Sequence, residues 1–170
     1  MSIWWSFHLR RDAASVPLAR RLLLGAMETA GVDPDVSYEL SVALTEACAN
    51  AVEHGGRPLD GGAGGAGGGV DPARGAEQYR VTAYLDGETC RIEVADSGPG
   101  FPGFPGRAGQ ARERLPAPSA PDPDAESGRG LRLIEELADH VHFGRTGRGG
   151  ALVSFDKIIK WRTDAPLVLA

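Results

Sequence analysis

Apolar residues change their spacing several times along the chain, and each change marks an element. Ile3 to Leu9 partly alternates and is rich in aromatic residues, which predicts a first or edge strand, although Trp4 and Trp5 side by side blur the period. After Ser15 the spacing becomes helical: Val16, Ala19, Leu22, Leu23, Ala26, Met27 and Ala30 share a face, and the run stops at Gly31. Asp33-Pro34 supplies a cap with proline at the first helical position, and Val36, Leu40, Ala43, Ala47 and Ala51 carry an apolar face to His54-Gly55. Gln78 to Leu85 and Thr89 to Ala95 alternate, with Asp86-Gly87 between them as a hairpin signal. Helical spacing returns from Gly130 to Ala138 through Leu131, Ile134 and Leu137. Two strand-like segments follow, His140 to Phe143 and Ala151 to Ile159.

Two stretches have no such period. Residues 55–75 are dominated by glycine and hold almost no bulky apolar side chains to offset their ordering entropy, so they read as a flexible insertion. Phe101 to Ser127 is rich in Pro, Gly and Ala and too long for an ordinary connection, which predicts a mobile lid. The order of strand, two helices, two strands, loop, helix and two strands is neither a strict βαβ alternation nor all-β. It predicts an α/β sandwich of the α+β class: a mixed, largely antiparallel sheet with helices on one face. The expected organisation is one domain over 1–160 and a tail over 161–170.

Length and charge narrow the function classes. A chain of 170 residues can bury a core without staples, and a net charge of -5 disfavours a broad electrostatic grip on nucleic acid. Cys48 and Cys90 sit in a helical and an alternating pattern, where structural thiols are commoner than a disulfide. The first residues lack a basic leader and no apolar run reaches the roughly 18 residues of a membrane span, so the expectation is a cytoplasmic protein that is not membrane-bound.

Three motifs carry candidate chemistry. Glu46 and Asn50 are one helical turn apart and project from the side opposite the alanine stripe, with His54 one turn further. Mg²⁺ takes hard oxygen ligands and bridges few protein oxygens to phosphates, so an Asn amide oxygen suits it and the Glu is left to act as a base. Asp96 leaves a strand into Ser97-Gly98-Pro99-Gly100. A carboxylate there can accept from an exocyclic amino group while the glycines let a flat base approach. Gly128-Arg129-Gly130-Leu131 opens the third helix, where glycines turn N–H groups toward a phosphate and Arg129 adds positive charge. Each motif alone is ordinary: a solvated polar face, a β-turn, a flexible helix start.

Their order is not ordinary. Glu-x-x-x-Asn on a helix, Asp-x-Gly-x-Gly after a strand, a long loop, and Gly-x-Gly-Leu opening a helix resemble the GHKL (Bergerat-fold) ATPase superfamily. Leu44 to Gly55 looks most like the bacterial anti-sigma-factor serine/threonine kinases within it. The resemblance implies ATP and Mg²⁺ held between the second helix, the Asp96 loop and the lid. It puts the base at Glu46, the metal at Asn50, the adenine contact at Asp96, loop-shaping roles at Gly98 and Gly100, and the second glycine box at Gly128, Gly130 and Leu131. His54 and Arg129 join the nucleotide site, and Arg20 matches an arginine used toward protein partners. The implied partners are a sigma factor and a STAS-type anti-anti-sigma protein, with a homodimer left open. One departure stands out: the family's final box has Thr where this chain has Ala151 after Gly149-Gly150.

The leading expectation is an anti-sigma factor that also phosphorylates its anti-anti-sigma partner. The alternative is a nucleotide-gated anti-sigma binding protein without phosphoryl transfer. The catalytic half of a histidine kinase fits less well, because no upstream helix with a phospho-accepting histidine is seen in the sequence. His140 and His142 share a strand face but lack further ligands for a metal. Trp4, Trp5 and Trp161 read as packing, and Cys48 as core.

Overall fold

The computed structural model describes residues 2–54, 78–96, 126–146 and 150–166. They form β1 (Ile3–Arg10), α1 (Ser15–Ala30), α2 (Pro34–His54), β2 (Gln78–Leu85), β3 (Thr89–Ala95), α3 (Glu126–Leu137), β4 (His140–Arg145) and β5 (Ala151–Ile158). The strands make one five-stranded sheet in the order β1-β2-β3-β5-β4. The insertion expected at 55–75 lies outside the described residues, as does the expected lid except for its last two positions, 126 and 127.

Every neighbouring pair is antiparallel, so among the described strands the expected mixed sheet narrows to a purely antiparallel one. Connectivity explains why. Two successive helices between β1 and β2 return the chain reversed, and β2–β3 and β4–β5 are direct hairpin neighbours. The one single-helix crossover, β3–α3–β4, leaves two strands running in the same direction, but β5 inserts between them and pairs antiparallel with both.

Alternation places the core. Tyr79, Val81, Ala83 and Leu85 of β2, Ile92 and Val94 of β3, and Val153 and Phe155 of β5 are buried against Leu23 and Met27 of α1, Leu40, Leu44 and Ala47 of α2, and Ile134 of α3. The helices therefore cover one face of the sheet. Lys157 stands in the same row as Phe155. Its ammonium lies 2.7 Å from the Glu39 carboxylate of α2 and donates at 2.8 Å to the Leu137 carbonyl that ends α3.

Local chemistry sets the element ends. Gly31 closes α1 in the left-handed region at φ 88, and a Cβ there would stand 2.5 Å from the Cβ of Ala165. Only glycine meets both conditions. Asp33 Oδ1 accepts from the Asp35 and Val36 amides at the start of α2, as its Asp-Pro sequence predicts. At the β2–β3 hairpin the Asp86 carboxylate accepts from the Thr89 and Glu88 amides, and these bonds hold its pKa below the usual carboxylate value. α3 begins at Glu126, four residues before the start expected from spacing. Glycine costs a helix about 1 kcal/mol, yet Gly130 is buried against α2, so packing overrides propensity. Beyond β5 the chain docks on the α1–α2 corner: Arg162 N–H donates to Gly31 O, and Trp161 Nε1 donates to Gly87 O. Trp161 and Trp5 pack at the rim of the core, whereas Trp4 is exposed.

Both cysteines are free and fully buried. Burial pushes each thiol up to about 12 from 9.0; for Cys48 a hydrogen bond with Tyr79 offsets part of the rise, and for Cys90 the nearby Asp86 and Asp156 carboxylates add to it. An unfolded chain releases these protons near pH 9 while the folded chain keeps them, so this contribution is whole below pH 9 and is lost as pH rises toward 12. The expected slope is at most about 1.4 kcal/mol per pH unit for each thiol. Urea unfolding at a series of alkaline pH values measures it, and a Cys48→Ala/Cys90→Ala chain should lose that part of the slope.

Candidate functional site

The α2–α3 contact brings together residues 80 positions and more apart in sequence. Glu46 and Asn50 occupy successive turns of α2, while Leu44, Ala47, Cys48 and Ala51 from the same helix point into the core. Gly130, buried in α3, faces Glu46 so closely that a Cβ on it would lie 2.7 Å from Glu46 Oε2. Leu131 packs at the core rim beside it. Glu46, Asn50 and the start of α3 therefore line one seam.

Within that seam Asn50 Nδ2 is buried and, among the described residues, has no hydrogen-bond partner. An amide end left in that state costs about 1–3 kcal/mol, so it marks a place where a polar group belongs. A half-turn of the amide presents Oδ1 at the same spot. The position thus suits either an acceptor on a ligand or a metal ion.

Asp96 is fixed from a second direction. At the end of β3 its N–H donates to Ala151 O at 3.0 Å, and its Oδ1 accepts from the Ala151 N–H at 3.0 Å. Ala151 is the position where the family pattern has a threonine, so the main chain there supplies a contact to the carboxylate although the hydroxyl is absent. Thr146 closes the β4–β5 turn, its hydroxyl accepting from Gly150 N–H at 3.0 Å. β3 and β5, which end at this pair, are the strands on which α2 packs.

The other expected site residues are placed as follows. His54 is the last residue of α2, exposed, with its ring 3.6 Å from the Glu53 carboxylate. Gly98 and Gly100 lie outside the described residues. Gly128 and Arg129 belong to the first turn of α3, and the Arg129 side chain is outside the described residues. Arg20 is not in the seam: its guanidinium stacks over the Tyr38 ring at 5.8 Å, between α1 and α2. Sequence reasoning missed Lys157, which joins the far end of α3 to the sheet, and the Ala151 amide. Neither leaves a signal in sequence, since a lysine in an alternating strand reads as solvated and a backbone N–H has no letter. His140 pairs with Asp156 at 2.7 Å. Among the described residues no group of three or more His, Cys, Asp or Glu is arranged to hold a metal ion.

Asn50 and the seam fit Mg·ATP on these observations: a buried amide with no hydrogen-bond partner among the described residues, and a glycine that lets the Glu46 carboxylate lie close against α3. A Mg²⁺ ion takes few protein ligands when phosphate oxygens supply the rest, which suits a site with one amide in place of a cage.

A model of the histidine kinase-like ATPase domain matches residues 9–157. That is most of the chain, and the protein belongs to this family. Among solved structures it is similar to the RsbU and RsbW domains of Rv1364c from Mycobacterium tuberculosis, with 17% identity and a TM-score of 0.56, over 92% of this chain and 33% of that one. The chain spans about a third of that structure's length, and at this identity the likeness shows a shared fold. No curated protein matches the chain. Among the described residues no helix is long and apolar enough to cross a membrane.

Proposed function

We propose that this chain is an ATP-dependent anti-sigma factor with serine kinase activity, phosphorylating a STAS-type anti-anti-sigma partner and sequestering a sigma factor. The observation that carries the nucleotide part is the buried Asn50 amide, without a hydrogen-bond partner among the described residues, one helical turn from the Glu46 that packs against Gly130. The family match and the resemblance of Leu44 to Gly55 to anti-sigma-factor kinases support the rest. In this reading Asn50 holds Mg²⁺, which supplies neutralisation of phosphate charge, and Asp96, oriented by Ala151, reads the adenine amino group. The start of α3 takes the phosphates on the N–H groups of its first turn, which have no intrahelical acceptor. Glu46 accepts the proton of the partner's serine hydroxyl, and Arg20 on its Tyr38 platform meets the protein partner.

Adenine selectivity follows from Asp96. Guanine presents an acceptor where adenine presents a donor, so its carboxylate would face a lone pair. Calorimetry should therefore give tighter binding of Mg·ATP than of Mg·GTP, and equal affinities would remove Asp96 from the base pocket. Incubation of the pure chain with labelled ATP and candidate anti-anti-sigma proteins tests transfer itself. Label on a partner serine is the expected result. ATP binding that changes sigma-factor affinity without any label would instead establish the nucleotide-gated binding protein.

A further inference from the structure

α3 meets α2 at two levels. At the nucleotide end Gly130 lies against Glu46. At the other end Lys157 of β5 joins Glu39 of α2, at 2.7 Å, to the carbonyl of Leu137, the last residue of α3, at 2.8 Å. Glu39 and Glu46 are seven residues apart on α2, and Gly130 and Leu137 are seven apart on α3. Seven residues rise about 10.5 Å and return to within about 20° of the same face. The helices therefore run in opposite directions with the two contacts level, and any slide of α3 along α2 moves both.

The two contacts differ in what they can hold. A glycine has no side chain to interlock, so Gly130 permits a close approach to Glu46 without resisting a slide. Ile134, between them, is fully buried, but apolar burial is non-directional. The Lys157 ammonium instead fixes one carbonyl and one carboxylate at hydrogen-bond distance. The last turn of α3 contains Glu135 and Glu136 and no basic residue, so the cation that complements its carbonyl end is supplied from the sheet. The strand around this lysine is firmly held. Asp139, just past α3, donates its N–H to Asp156 O at 2.9 Å and accepts from Ile158 N–H on Oδ2 at 2.6 Å.

Stability alone does not account for a lysine here. Its side chain is 17% exposed, and its partner in register on β3, Cys90, is fully buried. An apolar side chain of similar volume in place of a buried ion pair is often as stable or more so, because it avoids the desolvation of two charges.

We propose that Lys157 is a positioning residue for the nucleotide site: it fixes the axial register of α3 on α2, and with it the place of Gly130 and of the first turn of α3 relative to Glu46 and Asn50. β5 then serves the site from both ends, Ala151 orienting Asp96 and Lys157 setting α3. The effect on nucleotide rests on the proposed Mg·ATP site; the register itself does not.

The test uses the full chain with Lys157→Met, which keeps an unbranched stem of similar length, and with Glu39→Ala added. Without nucleotide, Lys157→Met should speed hydrogen exchange over residues 130–137 by roughly tenfold or more, and adding Glu39→Ala should speed it no further, because the link is already gone. The urea midpoint should stay close to that of the parent chain, whereas a merely structural role would lower it. Calorimetry should show Mg·ATP binding weakened roughly tenfold, since the first turn of α3 has lost its place. Unchanged exchange over residues 130–137 overturns the proposal. A lower urea midpoint with faster exchange throughout the chain also overturns it, as does parent-like Mg·ATP affinity in Lys157→Met. A parent chain that binds no nucleotide would remove the proposed function, and exchange in α3 would still decide whether Lys157 sets the register.

Discussion

Glu46→Gln is expected to bind Mg·ATP about as tightly as the parent chain and to transfer phosphate to the partner serine roughly 10²- to 10⁴-fold more slowly. The substitution keeps the shape of the side chain against Gly130 and removes only its basicity, so the seam between α2 and α3 stays packed. Ground-state nucleotide binding depends on other groups in this reading: Asn50, Asp96 and the start of α3. Asn50→Ala is the necessary contrast. It deletes the buried amide, so it should weaken Mg·ATP binding itself, and the Mg²⁺ dependence of ATP affinity should flatten. Calorimetry separates binding from chemistry, and single-turnover transfer with a confirmed partner measures the chemical step. Transfer by Glu46→Gln at the parent rate would show that Glu46 is not the base.

The fold was largely legible because its elements announce themselves by period. Asp33-Pro34 and Gly31 mark helix ends by chemistry that depends on no distant residue, and the alternation of β2 and β3 reports which side chains meet the helices. What stayed hidden depends on residues meeting from far apart in sequence. The start of α3 could not be placed from spacing, since a Gly-x-Gly segment becomes helical only when Gly130 finds Glu46 to pack against. Lys157 carries no signal of its own in the sequence, because its partners, Glu39 of α2 and the Leu137 carbonyl of α3, come from distant parts of the chain. The segment after Lys160 carried no pattern, yet its docking gives Gly31 a steric reason to be glycine. At the site, residue types and order were readable, while the feature that makes Asn50 informative, a buried amide with no partner among the described residues, exists only in three dimensions.

Gly130→Ala carries the other large expected effect, and its two consequences have opposite signs. Replacing glycine by alanine inside a helix ordinarily stabilises it by about 0.8–1.0 kcal/mol through backbone entropy and propensity. Here the added methyl would stand 2.7 Å from Glu46 Oε2, closer than side chains tolerate, so either the carboxylate rotates away or α3 shifts from α2. Glu46 ends in a flexible carboxylate with its own torsions, and moving it is the smaller strain. The expected outcome is a chain whose unfolding free energy changes by less than about 1 kcal/mol, propensity and crowding nearly cancelling, while phosphoryl transfer falls by roughly 10²-fold because the base is out of line. A double-mutant cycle with Glu46→Gln identifies the route. If Gly130→Ala acts by displacing the carboxylate, the double variant should transfer phosphate no more slowly than Glu46→Gln alone, a strongly non-additive result. Additive losses would show instead that Gly130→Ala damages the phosphate contacts of α3, and an unchanged transfer rate would show that Glu46 is free to work from another position.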